Sequence, residues 1–115
     1  MYLEIITPEQ TLFKGDVESI LFPGSHGDFQ VLNNHAPIVS TLKKGKVKII
    51  GKLMIEENAK DKFQFNERET VLDIESGTVE MNNNKVTLLV FVEKPAPLSF
   101  NELSMIKSAF FAFNF

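Results

Sequence analysis

Short runs of alternating apolar and polar residues, separated by turn-forming residues, fill the first four-fifths of the chain. In the segment KVKI, Val47 and Ile49 point to one side of an extended chain and the two lysines to the other. Such a period of two is typical of strands with one buried face, and turn signals roughly every eight to twelve residues indicate an antiparallel β-sandwich or a barrel. We expect strands over residues 2–7, 10–13, 17–22, 29–32, 38–42, 46–55, 62–65, 70–74, 78–81 and 85–92.

Two local features refine this prediction. The NNN sequence before Lys85 predicts a hairpin, because asparagine tolerates the positive φ of a tight turn. Gly51 interrupts the longest predicted strand and indicates a bulge or a close approach of two backbone segments.

The bulk composition excludes several classes of function. The chain has 115 residues, no cysteine and a net charge of -3, with acidic and basic residues interspersed. Disulfides and cysteine-based metal sites are therefore excluded, and no basic face of a nucleic-acid-binding protein is visible. No secretory leader is recognisable, and no apolar run approaches the roughly 20 residues that span a bilayer. We expect a soluble domain with no cofactor and no metal, which contacts a membrane only through partners.

The composition changes at EKPAP, residues 93–97, and we divide the chain there into a β-sandwich domain, 1–92, and a linker with an apolar tail, 93–115. The SFNE sequence that follows has the form of a capping box, which begins a helix. Leu103, Ile106 and Phe110 recur at helical spacing. We expect one short helix over roughly residues 100–112, which needs a docking surface because an isolated helix of this length is marginal. The alternative is a poorly structured chain end.

The stretch FPGSHGDFQVLNNHAP, residues 22–37, contains both histidines and most of the candidate chemistry. Ser25, His26 and Asp28 are the residue types of a catalytic triad, but side chains so close in sequence diverge and cannot all reach one another. His26 and His35 match no standard metal-binding spacing, and no phosphate-binding glycine motif is present. The remaining interpretations are a contact surface and, for His35, a structural turn residue.

The run TPEQTLFKGDVESILFPGSHGDFQVLNNHAPIVSTLKKGKVKI, residues 7–49, resembles subunit epsilon of the F-type, proton-translocating ATP synthases. The elements of that family are present in order: T-P-E, L-F-x-G, P-G-x-x-G-x-F/L, L-x-x-H-A-P and L-x-x-G-x-V-x-I. ESGTVEMNNNKVTLLV, residues 75–90, is similar to the family's closing hairpin. The resemblance covers about residues 2–92 and is looser over residues 53–70.

The resemblance implies an all-β fold, a flattened antiparallel β-sandwich of about ten strands at the foot of the central stalk. It implies a non-catalytic rotor subunit that links subunit gamma to the membrane c-ring and so couples proton translocation to ATP synthesis, with the catalytic head contacted only indirectly. The location would be the cytoplasmic face of the bacterial inner membrane. The loop expected to face the c-ring contains Ser25, His26, Gly27, Asp28 and Phe29, and the residues expected to face gamma are His35, Ala36 and Pro37.

The chain departs from the family after Val92, where the usual charged two-helix hairpin is replaced by the apolar tail. Inhibition by an extended hairpin and ATP binding are therefore not expected here. We expect Leu103, Ile106 and Phe110 to pack against the sandwich or to occupy part of the gamma interface. The residues are also compatible with two other classes: a free-standing β-sandwich module that binds a peptide or carbohydrate, and a small hydrolase, which the loop geometry disfavours.

Overall fold

The computed structural model describes residues 1–92, which form ten β-strands and one short 3-10 helix. The predicted helix over residues 100–112, with Leu103, Ile106 and Phe110, lies outside the described residues. The strands and the helix have the following bounds: β1 Tyr2–Ile6, β2 Thr11–Asp16, β3 Ser19–Phe22, β4 Phe29–Leu32, β5 Ile38–Leu42, β6 Gly45–Ile50, the 3-10 helix Glu57–Lys62, β7 Phe63–Phe65, β8 Glu69–Ile74, β9 Ser76–Asn82 and β10 Lys85–Phe91.

The strands form two sheets of five. The first sheet has the order β2-β1-β10-β9-β5 and the second the order β4-β3-β6-β8-β7. All neighbouring strands are antiparallel except β1 and β10, which pair in parallel. The predicted all-β sandwich of about ten strands is confirmed, and the open alternative of a barrel is excluded by the two separate sheets.

The core lies between the two sheets and is made by the alternate residues of each strand. Val47 and Ile49 are completely buried, as the period of two in β6 predicts, and Val31 is the buried residue of β4. Largest among the fully buried side chains are Phe22, Leu3, Ile5, Ile20, Ile49, Leu72, Ile74, Met81 and Leu88. Each of these large side chains contributes about 1.5–3 kcal/mol when it is fully removed from water.

The predicted strand over residues 46–55 is too long, because β6 ends at Ile50. Gly51 follows with φ +150°, and a Cβ atom there would lie 3.2 Å from the Cα atom of Val17. The expected close backbone approach is therefore confirmed, and it turns the chain out of the sheet. After it, the chain reaches the 3-10 helix, whose Ala59 is buried. No helix among residues 1–92 is long and apolar enough to cross a bilayer.

The β9–β10 hairpin is confirmed. Asn82 pairs with Lys85, and the two residues between them, Asn83 and Asn84, have φ values of 51° and 60°. Two successive residues with positive φ define the turn type whose twist matches that of two-stranded antiparallel ribbons. The turn thus fixes the register between β9 and the central strand β10 of the first sheet.

Candidate functional site

The β3–β4 loop, residues 23–28, is anchored to the other sheet. Gly24 forms an isolated bridge with Leu42 at the end of β5. The Ser25 N–H donates to the Thr41 carbonyl over 3.0 Å, and the Lys43 N–H donates to the Pro23 carbonyl over 2.9 Å. Because β3 belongs to the second sheet and β5 to the first, these bonds connect the two sheets at one end of the sandwich.

The tip of the β3–β4 loop is polar and exposed, above an aromatic base. The Gly27 N–H donates to the Gly24 carbonyl over 3.0 Å, and Gly27 has φ +128°, a conformation that side chains disfavour. His26 and Asp28 are exposed. Phe29 is half-buried, with its ring centroid 5.4 Å from that of Phe22 in the core. The tip is therefore a small polar projection on a packed base.

The catalytic-triad arrangement is absent from this loop. The Ser25 hydroxyl accepts a hydrogen bond from the Thr41 hydroxyl over 2.9 Å, and none of the hydrogen bonds within residues 1–92 joins Ser25, His26 and Asp28. That same part of the chain holds no group of three or more histidine, cysteine, aspartate or glutamate side chains placed to hold a metal ion.

The β4–β5 loop, residues 33–37, is a tight turn with an exposed histidine. The His35 N–H donates to the Leu32 carbonyl over 3.1 Å, and Asn34 has φ 62°. The His35 Nδ1 atom lies 2.7 Å from the Ala36 carbonyl oxygen. His35, Ala36 and Pro37 are all exposed, so the residues expected to face gamma are accessible.

A cluster of asparagines holds this second loop against the β9–β10 turn. The Asn34 N–H donates to the Asn84 Oδ1 atom over 2.7 Å, and the Asn84 amide nitrogen donates to the Asn33 Oδ1 atom over 2.8 Å. The Met1 amino group also donates to Asn33 Oδ1, over 2.9 Å. We call Asn33, Asn34 and Asn84 the asparagine clamp. Sequence reasoning missed it, because its members come from two loops far apart along the chain.

The two predicted sets of site residues lie at opposite ends of β4 and are not brought together. The β3–β4 loop is tied to the end of β5, and the β4–β5 loop to the turn that begins β10. β10 begins beside the second loop and ends level with Leu42, where the first loop is tied. Its seven residues cover roughly 20 Å, which is therefore the approximate distance between the two loops. The roles assigned to the two loops, one toward the c-ring and one toward gamma, stay predictions.

Exposed apolar side chains adjoin the second loop and were not predicted as site residues. Val39, which follows that loop in β5, is 78% exposed, and Leu32, which precedes it in β4, is 54% exposed. β5 is an edge strand, since only β9 pairs with it in the first sheet. The alternation in IVSTL could have predicted the exposure of Val39. Ile38 and Leu42 are an even number of residues apart and both face the core, so Val39, at the odd position between them, faces outward.

The described part of the chain is thus a small ten-stranded β-sandwich that presents one exposed loop at each end of β4. The family described as the β-sandwich domain of the ATP synthase delta/epsilon chain matches residues 1–92. The chain belongs to this family.

Similar proteins support this assignment. An ATP synthase epsilon chain from Chlorobium limicola is 38% identical over 87 residues, which cover 76% of this chain and 84% of the relative. One from Leptospira interrogans is 40% identical over 87 residues, covering 76% of this chain and 58% of the relative. The central stalk and c-ring structure of the Tetrahymena thermophila mitochondrial ATP synthase contains a chain with a TM-score of 0.60 and 14% identity, over 95% of this chain and 87% of that chain. At that identity the likeness concerns the fold.

Proposed function

We propose that this chain is the epsilon subunit of an F-type ATP synthase, a non-catalytic part of the rotor that connects subunit gamma to the c-ring. It thereby couples proton translocation to ATP synthesis, at the cytoplasmic face of a bacterial inner membrane. The observation that carries the proposal is the family match over residues 1–92, which includes all ten strands and both exposed loops. The similar proteins from Chlorobium and Leptospira are ATP synthase epsilon chains.

In this proposal each end of the sandwich has one partner. The polar tip of the β3–β4 loop, with Ser25, His26 and Asp28, contacts the c-ring. The β4–β5 loop contacts gamma through His35, and the exposed Val39 beside it extends that surface with apolar area. An interface of standard size buries on the order of 1,600 Å², so both loops need contributions from neighbouring strands.

A rotor component must transmit torque without deforming, and the anchoring of the two loops supports this role. The β3–β4 loop is held by backbone hydrogen bonds to β5, and the β4–β5 loop by the asparagine clamp. Backbone and amide bonds of this kind each contribute about 0.5–1.5 kcal/mol and restrict the loop conformation. The chain itself has no catalytic role in this proposal, and ATP is made by other subunits.

The test is binding to purified gamma subunit and to purified c-ring from the same organism, with the parent chain, His35→Ala and Asp28→Ala. Both side chains are exposed, so neither substitution disturbs the core. A contact residue at the centre of an interface costs about 2 kcal/mol when truncated, or roughly 30-fold in Kd. We expect His35→Ala to weaken binding to gamma alone and Asp28→Ala to weaken binding to the c-ring alone.

Each variant is the control for the other, because both have the same kind of substitution in exposed loops of one domain. Loss of both interactions in one variant would indicate misfolding, which the melting temperature reveals. A parent chain that binds neither partner contradicts the proposal and favours the free-standing binding module instead. The exposed aromatic residues within residues 1–92 give that alternative little support, because they do not form one platform. Tyr2 and Phe91 lie at opposite ends of the first sheet, and Phe65 lies in the second sheet.

A further inference from the structure

The strand β5 is an edge strand without a single charge. Only β9 pairs with it in the first sheet, and its five residues read IVSTL. The other edge strands are better protected, since β2 carries Lys14 and Asp16, and β7 and β4 have three and four residues. Charges and short length are common means by which a sheet edge avoids pairing with another chain. β5 is longer than β4 and β7 and has no charge, so its edge is accessible to a further strand.

The position of a further strand beside β5 is already half filled, by residues 23–25 of the β3–β4 loop. The Ser25 N–H donates to the Thr41 carbonyl, and Gly24 forms an antiparallel bridge with Leu42. These contacts lie on the side of β5 that faces away from β9. The fold therefore accommodates an antiparallel segment in this position.

The other half of this position exposes backbone groups of β5. In an antiparallel strand the N–H and C=O of one residue point to the same side, and every second residue repeats that direction. Because the Thr41 carbonyl points away from β9, the N–H and C=O of Val39 do so as well. Within residues 1–92, these two groups and the Thr41 N–H have no hydrogen-bond partner. The Val39 side chain beside them is 78% exposed.

A second copy of this chain does not fit against the edge of β5. In a two-fold pair of β5 strands centred on Val39, Ala36 of the second copy would lie opposite Leu42, in the place that Gly24 occupies. Such a dimer would require residues 23–25 to leave β5. The segment that fits is therefore extended and roughly four residues long, and it turns away before it reaches Gly24.

We propose that an extended segment of subunit gamma adds to the first sheet along β5 and forms hydrogen bonds with Val39 and the Thr41 N–H. This inference rests on the proposed function, because it describes how gamma is held. Gamma is the occupant because β5 follows directly on the loop 33–37, whose His35 contacts gamma in that proposal. In strand addition the backbone bonds supply affinity, and side chains such as Val39 supply specificity.

The first test is amide hydrogen exchange of the full chain, read by NMR, with and without gamma from the same organism. We expect the Val39 and Thr41 amides to exchange at least about tenfold more slowly in the complex, whereas the Ser40 amide, which faces β9, is protected in both states. Unchanged exchange at Val39 and Thr41 in a complex that forms overturns the inference and leaves the proposed function intact. Protection in the free chain that disappears on dilution also overturns it, because the occupant is then a second copy.

The second test compares Val39→Pro with Val39→Ala in binding to gamma. Proline removes the outward N–H and no bond to β9, and an edge strand tolerates proline where its N–H faces solvent. Alanine keeps the N–H and removes most of the side chain, so it is the matched control.

We expect the Kd for gamma to be at least about tenfold higher for Val39→Pro than for Val39→Ala, because an acceptor on gamma loses its donor. Equal affinities of two variants with equal melting temperatures overturn the inference. If Val39→Pro melts well below Val39→Ala, the exchange test on the parent chain decides. A parent chain that does not bind gamma overturns the proposed function and this inference together.

Discussion

Gly24 is where a single methyl group should have the largest effect on the β3–β4 loop. A Cβ atom there would lie 2.5 Å from the Gly27 carbonyl oxygen and 2.8 Å from the Phe29 ring. The carbonyl belongs to the same tight turn, so relief requires movement of the backbone and loss of the bridge to Leu42. Overpacking of this kind costs about 1–3 kcal/mol, and the reduced entropy of the unfolded chain returns about 0.4–1 kcal/mol.

The net loss of about 1–2 kcal/mol for Gly24→Ala corresponds to a melting temperature lower by roughly 5–15 °C in a domain of this size. Thermal unfolding followed by circular dichroism measures it, and hydrogen exchange should show a faster rate at the Ser25 amide, which bonds to Thr41. Gly15→Ala is the control, because its new Cβ would meet only the ring tip of Phe13, at 2.9 Å. The reasoning is refuted if Gly24→Ala melts no lower than Gly15→Ala.

Three further predictions concern other parts of the domain. Asn84→Ala should lower the free energy of unfolding by about 1–2 kcal/mol and speed hydrogen exchange at the Asn34 amide, because two clamp bonds are lost. An unchanged exchange rate at the Asn34 amide would contradict the clamp. Phe22→Ala should lower the free energy of unfolding, measured in urea, by about 3–5 kcal/mol. A decrease of less than about 0.5 kcal/mol, as is typical of surface substitutions, would be inconsistent with the complete burial of Phe22. The hydrogen bond and charge of Lys60 lower the pKa of the exposed Glu57. This pair therefore stabilises the 3-10 helix at neutral pH, and the stabilisation is lost as the pH falls through that lowered pKa. In an NMR titration, the pKa of Glu57 should be higher in Lys60→Met than in the parent chain.

The strands were predictable because their pattern is local. In β6 and β10 the period of two alone separates core residues from exposed ones, and the NNN turn carries its own conformational preference. The pattern was wrong past Ile50, where apolar residues continue but Gly51 diverts the backbone. Leu32 shows the same limit: it is apolar in sequence, yet it lies on the outer side of β4 because Val31 occupies the inner side.

The features that depend on distant parts of the chain were not predictable from pattern. The asparagine clamp and the bridge from Gly24 to Leu42 each join segments that only the sheet order brings together. The two exposed loops were found from the sequence, but through family resemblance and turn residues. They lie at opposite ends of β4 because each adjoins one end of that strand, whereas their anchoring to β5 and to the β9–β10 turn depends on the order of strands in the sheets.

The parallel pairing of β1 with β10 has a consequence for how the chain is made. Leu3 and Ile5 are completely buried, and their partners are Val86 and Leu88, roughly 80 residues later. At a synthesis rate of about 5–20 residues per second, the first strand waits roughly 4–17 s before its partner leaves the ribosome. During that interval two apolar residues and an unpaired strand edge are available to other chains. Nascent chains should therefore depend on chaperones until β10 emerges, after which closure of the first sheet completes the domain in one step.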